Sequence, residues 1–452
     1  MNSPAFRPTG NAGRMALGGL LILLSVLIQD GTSANPPTTP PNIVLIISDD
    51  HGWTDYGFMG HTQIRTPSLD KLSSQSLVFE HGYVPSSLCC PSLAAIITGL
   101  YPHQNKITCN DPPAPGDPKR YAGNRNDPAY RAARQEMIKF IDEVPTLPRL
   151  LARQGYISFQ TGKWWQGHFS HGGFTDGMSK GDPDEGGRHG DEGLKIGRDT
   201  MQPIYDFIAN AAKQNKPFLV WYAPMLPHQP HNPPERFLDK YKDKTPSLSM
   251  AKYWATVEWF DETCGQLMDH LDQNGLAGNT LVIYVTDNGW IQDPNGERVA
   301  AKSKLTPYDG GLRTPILIRW PGKVEPRKSY AFAMSIDIAP TLLAAVGLKP
   351  TSDMQGVNLL NETAVKKRKA IFGECFTHNA VDIHNPAANL LWRWGIEGQW
   401  KLIVPAPQNE PNGTVELFNL ARDPFENTNL ADKEKARVER LRRKLDAWWK
   451  PQ

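Results

Sequence analysis

The 452-residue chain carries 39% apolar and 21% charged residues and a formal net charge of +2, an ordinary balance for a folded globular protein. No basic stripe with interleaved aromatics occurs, which excludes a nucleic-acid binder of that kind. Five cysteines (89, 90, 109, 264 and 375) are too few and too scattered for a disulfide scaffold, although export would allow one bridge among 109, 264 and 375.

In chain order, Arg7 and Arg14 precede the apolar run Met15–Ile28, and Gly31-Thr-Ser-Ala34 follows it. That order predicts a secretory signal peptide over 1–34 and a periplasmic or secreted protein. The run is short for a membrane span, and no other candidate span follows; an uncleaved anchor is the alternative. Asn35–Pro41 reads as an extended linker.

Asn42-Ile-Val-Leu-Ile-Ile-Ser48 is a β-branched apolar run, suited to a strand buried on both faces of a parallel sheet. Phe218–Pro224 and Leu281–Thr286 look alike, and Pro315–Trp320 is a weaker fourth strand. Helical patterns lie between them: Pro67 to about Phe79, Val144 to Gln154, Asp199 to Ala212, and Met250 to Asn274. Strands alternating with helices predict an α/β sheet with helices on both faces. Beyond about 350 the strands become short and Trp-rich, at Leu391–Gly395 and Gln399–Ile403. A charged helix from Asp432 to Trp449 completes a smaller C-terminal unit.

Ligands of open α/β sheets bind at the carboxyl ends of strands. Asp49-Asp50 and Asp287-Asn288 occupy such ends. Either pair alone would more often cap a turn, but together they form a hard-oxygen set suited to Ca²⁺ or Mg²⁺. Cys89-Cys90-Pro91-Ser92 precedes a short apolar helical stretch, Leu93–Gly99. A nucleophile there would gain from the helix dipole, as would an anionic substrate; a buried structural thiol is the competing reading.

The chain resembles the sulfatase family of the alkaline-phosphatase superfamily from about Pro41 to Leu430. Matching stretches, in the family's order, include Pro41–Asp50, Cys89-Cys-Pro-Ser with Thr98–His103, Thr161-Gly-Lys-Trp164, Pro227-His-Gln-Pro230, Thr286-Asp-Asn-Gly289, Lys304 with Tyr308–Arg313, Asp337–Thr341, and Glu416–Leu420 with Asp423-Pro. The resemblance implies an alkaline-phosphatase-like mixed sheet flanked by helices, with a catalytic domain over 35–349 and a smaller C-terminal α+β subdomain over 350–452. The implied activity is an arylsulfatase-like sulfuric ester hydrolase, its substrate expected to be a carbohydrate sulfate.

By the same resemblance a separate maturation enzyme oxidises Cys89 to formylglycine, whose hydrated aldehyde, held on the metal, attacks sulfur. Asp49, Asp50, Asp287 and Asn288 hold Ca²⁺, with Mg²⁺ as the alternative, and the residue at 89 joins them. Lys163 and Lys304 bind sulfate; His228 binds it too and protonates the leaving oxygen, work an imidazole suits near neutral pH. Taken singly, each lysine would more often be a solvated charge, and His228 an ordinary loop histidine.

Two positions depart from the family. Leu93 replaces the arginine of Cys-x-Pro-x-Arg, and Trp165 stands where the family has a histidine. Three outcomes follow: substitutes complete the site, with His168 as the candidate for the lost histidine; Cys89 stays a thiol and the protein binds sulfated glycans without turnover; or the site serves a phosphate or phosphonate ester. Segments 112–134 and 172–193 read as long loops that would shape a substrate pocket or decorate the surface.

Overall fold

The computed structural model describes residues 40–119, 123–181, 187–296 and 298–451. The expected signal peptide and most of the linker lie outside them. Among the described residues no helix is long and apolar enough to cross a membrane.

The eight strands of the main sheet are β1 (Asn42–Ser48), β2 (Leu77–Phe79), β3 (Ile157–Gly162), β4 (Asp176–Gly177), β5 (Phe218–Ala223), β6 (Thr280–Thr286), β7 (Ile316–Arg319) and β8 (Arg327–Ser329). They lie in the order β4-β3-β5-β1-β6-β7-β2-β8. The first five in that order run parallel, while β7 pairs antiparallel with both β6 and β2, so the sheet is mixed.

In β1, β5 and β6 every residue is buried, because helices cover both faces. Ile43, Leu45 and Ile47 join Trp221 and Ile283 in a core layer with helices α1 (Cys89–Thr98) and α2 (Ile338–Ala345). Val44 and Ile46 face the other way, with Tyr222 and Tyr284, onto α3 (Gln202–Lys213) and α4 (Leu248–Gln273).

The C-terminal subdomain is a four-stranded antiparallel sheet of Ala370–Phe376, Leu390–Glu397, Trp400–Pro405 and Glu416–Asn419. One face meets Tyr83, Tyr101 and Leu312 through Trp394, Ile403 and Phe418. On the other, Leu402 and Leu417 pack against Val438, Leu441 and Leu445 of α5 (Lys435–Trp448).

Several elements differ from expectation. The helix from Pro67 ends at Ser74, and Leu77–Phe79 pairs with both β7 and β8 as a strand. Its Leu-Val-Phe run continues a helical period locally, but the gap between two strands decides its state. Of Val144–Gln154 only Leu147–Ala152 is helical. Within 112–134 the structure has a helix, Pro128–Lys139, started by Asp127, whose carboxylate accepts the Ala129 N–H. All five cysteines are free and buried. The bridge considered among Cys109, Cys264 and Cys375 is therefore not formed.

Candidate active site

At the carboxyl end of β1 the chain turns through Asp50, which holds a left-handed φ of 56°. The Asp49 N–H donates to the Leu226 carbonyl (2.9 Å), the Asp50 N–H to Asp287 Oδ1 (3.1 Å) and the Asp287 N–H to the Ser48 carbonyl (2.9 Å). The Asn288 amide donates to Asp50 Oδ1 at 2.6 Å. These bonds tie the ends of the adjacent parallel strands β1 and β6 together, which is why pairs 238 residues apart in sequence converge.

Lys163 follows Gly162 at the end of β3. Gly162 has φ 75°, and a Cβ there would lie 1.9 Å from the Ala223 carbonyl oxygen, so only glycine lets the chain turn this tightly against β5. The turn buries Lys163 and sets Nζ 2.7 Å from Asp49 Oδ1 and 3.8 Å from Asp287 Oδ2. Lys304 arrives from a loop with left-handed Lys302 (φ 57°) and Leu305 (φ 68°); its Nζ donates to both Asp50 oxygens, at 2.6 and 2.8 Å. His228 Nε2 lies 3.4 Å from Asp50 Oδ2, and Nδ1 bonds the Gln229 carbonyl at 2.6 Å.

Cys89 opens α1 with its thiol in this cluster. One ligand atom each from Asp49, Asp50, Cys89 and His228 all lie within 4.8 Å of one another. The structure therefore brings Asp49, Asp50, Cys89, Lys163, His228, Asp287, Asn288 and Lys304 together. Cys90 points away: Gln166 Nε2 donates to its sulfur at 3.4 Å, and its N–H donates to Asn110 Oδ1.

The electrostatics follow from burial and crowding. Burial, and next the neighbouring Asp49, push the Asp287 carboxyl well above the usual range. Burial opposes ionisation of Asp50 as well, but Lys304, His228 and Lys163 outweigh it and hold that carboxyl low. Burial also lowers His228 to about 4 and raises the Cys89 thiol to about 12, so an unmodified thiol there stays protonated and weakly nucleophilic. Asp287 Oδ2 and Asn288 Oδ1 are buried and accept no hydrogen bond. Orphaned hard oxygens beside two further carboxylates fit a divalent cation, and the cluster could hold one.

His168 is not brought to this cluster. Gly167 (φ 65°) turns the chain outward, and His168 Nδ1 binds the Ser170 hydroxyl (2.8 Å) at the start of the turn Phe169–Gly172. Trp165 is buried, with the Arg188 guanidinium 4.7 Å, Arg134 5.5 Å and Lys163 Nζ 5.9 Å from the ring centre. Leu93 lies in the apolar core at 2% exposure.

Two histidines escaped the sequence reading. His189 has its ring 5.4 Å from Trp165, a buried Nδ1 without a hydrogen bond, and Lys163 and His228 among the charges that act on it; its carbonyl accepts the Trp164 N–H. His378, from the C-terminal part, reaches Asn110 and feels the charge of Lys304. Neither sits in a motif; only the Gly-rich context of His189 hinted at a close approach.

Residues 41–348 match the family described as Sulfatase, and residues 302–449 match the one described as N-sulphoglucosamine sulphohydrolase, C-terminal. The N-acetylgalactosamine-6-sulfatase of Canis lupus familiaris is 30% identical over 466 aligned residues, covering 90% of this chain and 85% of that protein. Among solved structures, Ps i-CgsB, also solved with k-i-k-neocarrahexaose, matches with a TM-score of 0.72 at 23% identity over 92% of this chain and 94% of that one. The phosphonate monoester hydrolase of Agrobacterium radiobacter matches with a TM-score of 0.66 at 17% identity, over 90% and 95%. At these identities the two structures share the fold alone.

Proposed function

The chain belongs to the sulfatase family and is a sulfuric ester hydrolase, and from that premise we propose that it removes sulfate from a glycan with a nucleophile derived from Cys89. The observation that supports this reading is the placement of Cys89 at a helix start, among three carboxylates and within the field of Lys163 and Lys304.

Asp49, Asp50, Asp287 and Asn288 would hold Ca²⁺, which supplies Lewis acidity and a fixed orientation for the residue at 89. Formylglycine at 89, made by a maturation enzyme, supplies an attacking oxygen that the protonated thiol lacks. The protein's own groups do the rest. The Lys163 and Lys304 ammonium groups, both held charged by neighbouring carboxylates, bind the sulfate oxygens. His228 Nδ1–H donates to the Gln229 carbonyl, which fixes the ring with Nε2 on the Asp50 side. The negative charge of a bound sulfate ester favours the imidazolium form, whose Nε2–H would pass its proton to the leaving oxygen. The glycan is inferred from relatives that act on N-acetylgalactosamine 6-sulfate, and export from the N-terminal pattern.

The mass of the peptide that contains Cys89, from protein made in its own host, tests the nucleophile. The expected result is an aldehyde; a plain thiol sinks the reading and leaves a glycan binder. Parallel assays with an aryl sulfate and an aryl phosphate should favour the sulfate, and equal or faster phosphate hydrolysis would place the protein with the phosphoesterases of this fold.

A further inference from the structure

Beside the anion site, three of the segments that carry its residues run on into a second cavity, of about 330 Å³. Gly52-Trp53-Thr54 follows Asp49-Asp50, Trp290-Ile291 follows Asp287-Asn288, and Lys302 lies two residues before Lys304. Pro424–Asn427 adds a wall from the C-terminal part. Trp290 belongs to both places: its ring centre is 6.0 Å from Lys304 Nζ, and it lines the cavity.

The chemistry of this cavity differs from that of the anion site. Phe425 is 59% exposed and Ile291 40% exposed, two of the few large apolar side chains left open to solvent among the described residues. Trp53 lies roughly parallel to Phe425 with ring centres 6.3 Å apart, and the Arg313 guanidinium covers Trp53 at 3.9 Å. A few polar groups accompany these faces: the Thr54 hydroxyl, the Asn427 amide and the Lys302 ammonium, which donates to the Glu426 carbonyl. Apolar walls with sparse polar groups, at roughly 300 Å³ or more, are the make-up of a small-molecule site. A pyranose ring offers the matching surfaces, a C–H face for an aromatic wall and a rim of hydroxyls for the polar groups.

The backbone is bent at a cost to present these faces. Seven described non-glycine residues have positive φ; three of them (Asp50, Lys302 and Glu426) belong to the anion site or to this cavity, and a fourth, Leu305, adjoins Lys304. Such conformations cost free energy in a residue with a Cβ, and they gather at functional sites. The turn at Glu426 is locked: its buried carboxylate accepts the Asp309 N–H at 2.6 Å and lies 2.8 Å from the Nζ of Lys401, itself fully buried. Phe425 is therefore held out toward solvent by an anchored turn, not by a fraying loop.

We propose that this cavity is a subsite for the sugar ring adjoining the sulfated residue of a glycan substrate, with the Phe425 ring as its stacking wall. The assignment rests on the sulfatase reading for the identity of the ligand, and its test separates the two. N-acetylgalactosamine 6-sulfate is assayed free and as the terminal residue of a chondroitin tetrasaccharide, alongside a sulfated carrageenan tetrasaccharide. Wild type should prefer the better tetrasaccharide over the monosaccharide in kcat/KM by about tenfold or more, the size expected from covering one apolar face. Phe425→Ala should bring that ratio close to one, and Phe425→Trp should keep it. The same tetrasaccharides, titrated against tryptophan fluorescence, report binding whether or not sulfate is released. Saturable binding that Phe425→Ala weakens, without sulfate release, supports the subsite and sinks the catalytic reading. Sulfate release with no advantage for either tetrasaccharide overturns the subsite alone. An equal ratio in wild type and Phe425→Ala, or no binding of either tetrasaccharide, overturns it too.

Discussion

Leu93 and Trp165, the two positions at which the sequence departs from the pattern expected of the family, are both buried. Leu93 is buried in the same core cluster as Ile96, Ile97 and Leu100, one turn along the helix that Cys89 opens. Trp165 accepts no proton, but its ring gathers Arg188, Arg134 and Lys163, and cations over an indole are attracted by its face. Arg134 is held there by the Trp165, Asn110 and Arg188 carbonyls, and Arg188 by a bidentate contact with Asp111. A fixed positive charge therefore remains beside the site although the signature arginine does not. Restoring that arginine should not help. Leu93→Arg would bury a guanidinium among apolar neighbours, and the denaturation midpoint should fall by the equivalent of about 3 kcal/mol or more. An unchanged midpoint would mean that the position still opens onto a partner for a cation.

Between elements, buried charges do the joining. Lys401, from the C-terminal sheet, pairs with Asp309 and Glu426 at 2.8 Å each, which fastens the loop after β6 and the Phe425 turn to that sheet. A second joint has a pH signature. The helix Pro67–Ser74 has no side-chain cap of its own; Asp261 of α4 supplies one, accepting the Ser68 and Leu69 N–H groups at 3.0 and 2.7 Å. Burial raises the Asp261 carboxyl to about 7 from an ordinary 3.8, although those N–H groups and the Ser68 side chain pull the other way. Between pH 4 and pH 7 the folded protein thus retains a proton that the unfolded chain has released. This contribution to stability is complete below about pH 4 and lost as pH rises through 7. Urea midpoints of wild type should drop from pH 5 to pH 8, and Asp261→Asn should flatten part of that drop; equal slopes in the two proteins would count against it.

Across the whole molecule, the sheet and its two helical layers hold three carboxylates where water cannot screen them. Such a centre is stabilised by any cation that binds the folded protein and not the unfolded chain, by roughly 4 kcal/mol at a thousand times the dissociation constant. Treatment with a calcium chelator should lower the melting temperature, and added Ca²⁺ should restore it more fully than Mg²⁺, which tolerates irregular oxygen cages poorly. A melting temperature indifferent to chelation would count against a metal at Asp49, Asp50, Asp287 and Asn288. The five buried thiols add no cross-link to this account, so packing and ion pairs carry the stability.

The amino-acid sequence by itself determined the strands β1, β5 and β6, because a strand covered on both faces must be apolar throughout, and that pattern survives any partner. It marked Asp49-Asp50, Asp287-Asn288 and Cys89 next to recognisable strand or helix ends, and Lys163, His228 and Lys304 through the short motifs that carry them. Other features were decided only by the tertiary structure. Leu77–Phe79 is a strand because a gap between β7 and β8 accepts it, and Ile157–Gly162 alternates too weakly to stand out until β5 pairs with it. His168 is near Lys163 in sequence yet leaves at Gly167, whereas His189 arrives from a separate turn pinned to the Trp164 N–H. The Phe425 cavity draws on five segments between residues 52 and 427. Periodicity and local motifs report what a residue does to its own element; which distant segments share a site depends on packing between elements, and no local pattern encodes that.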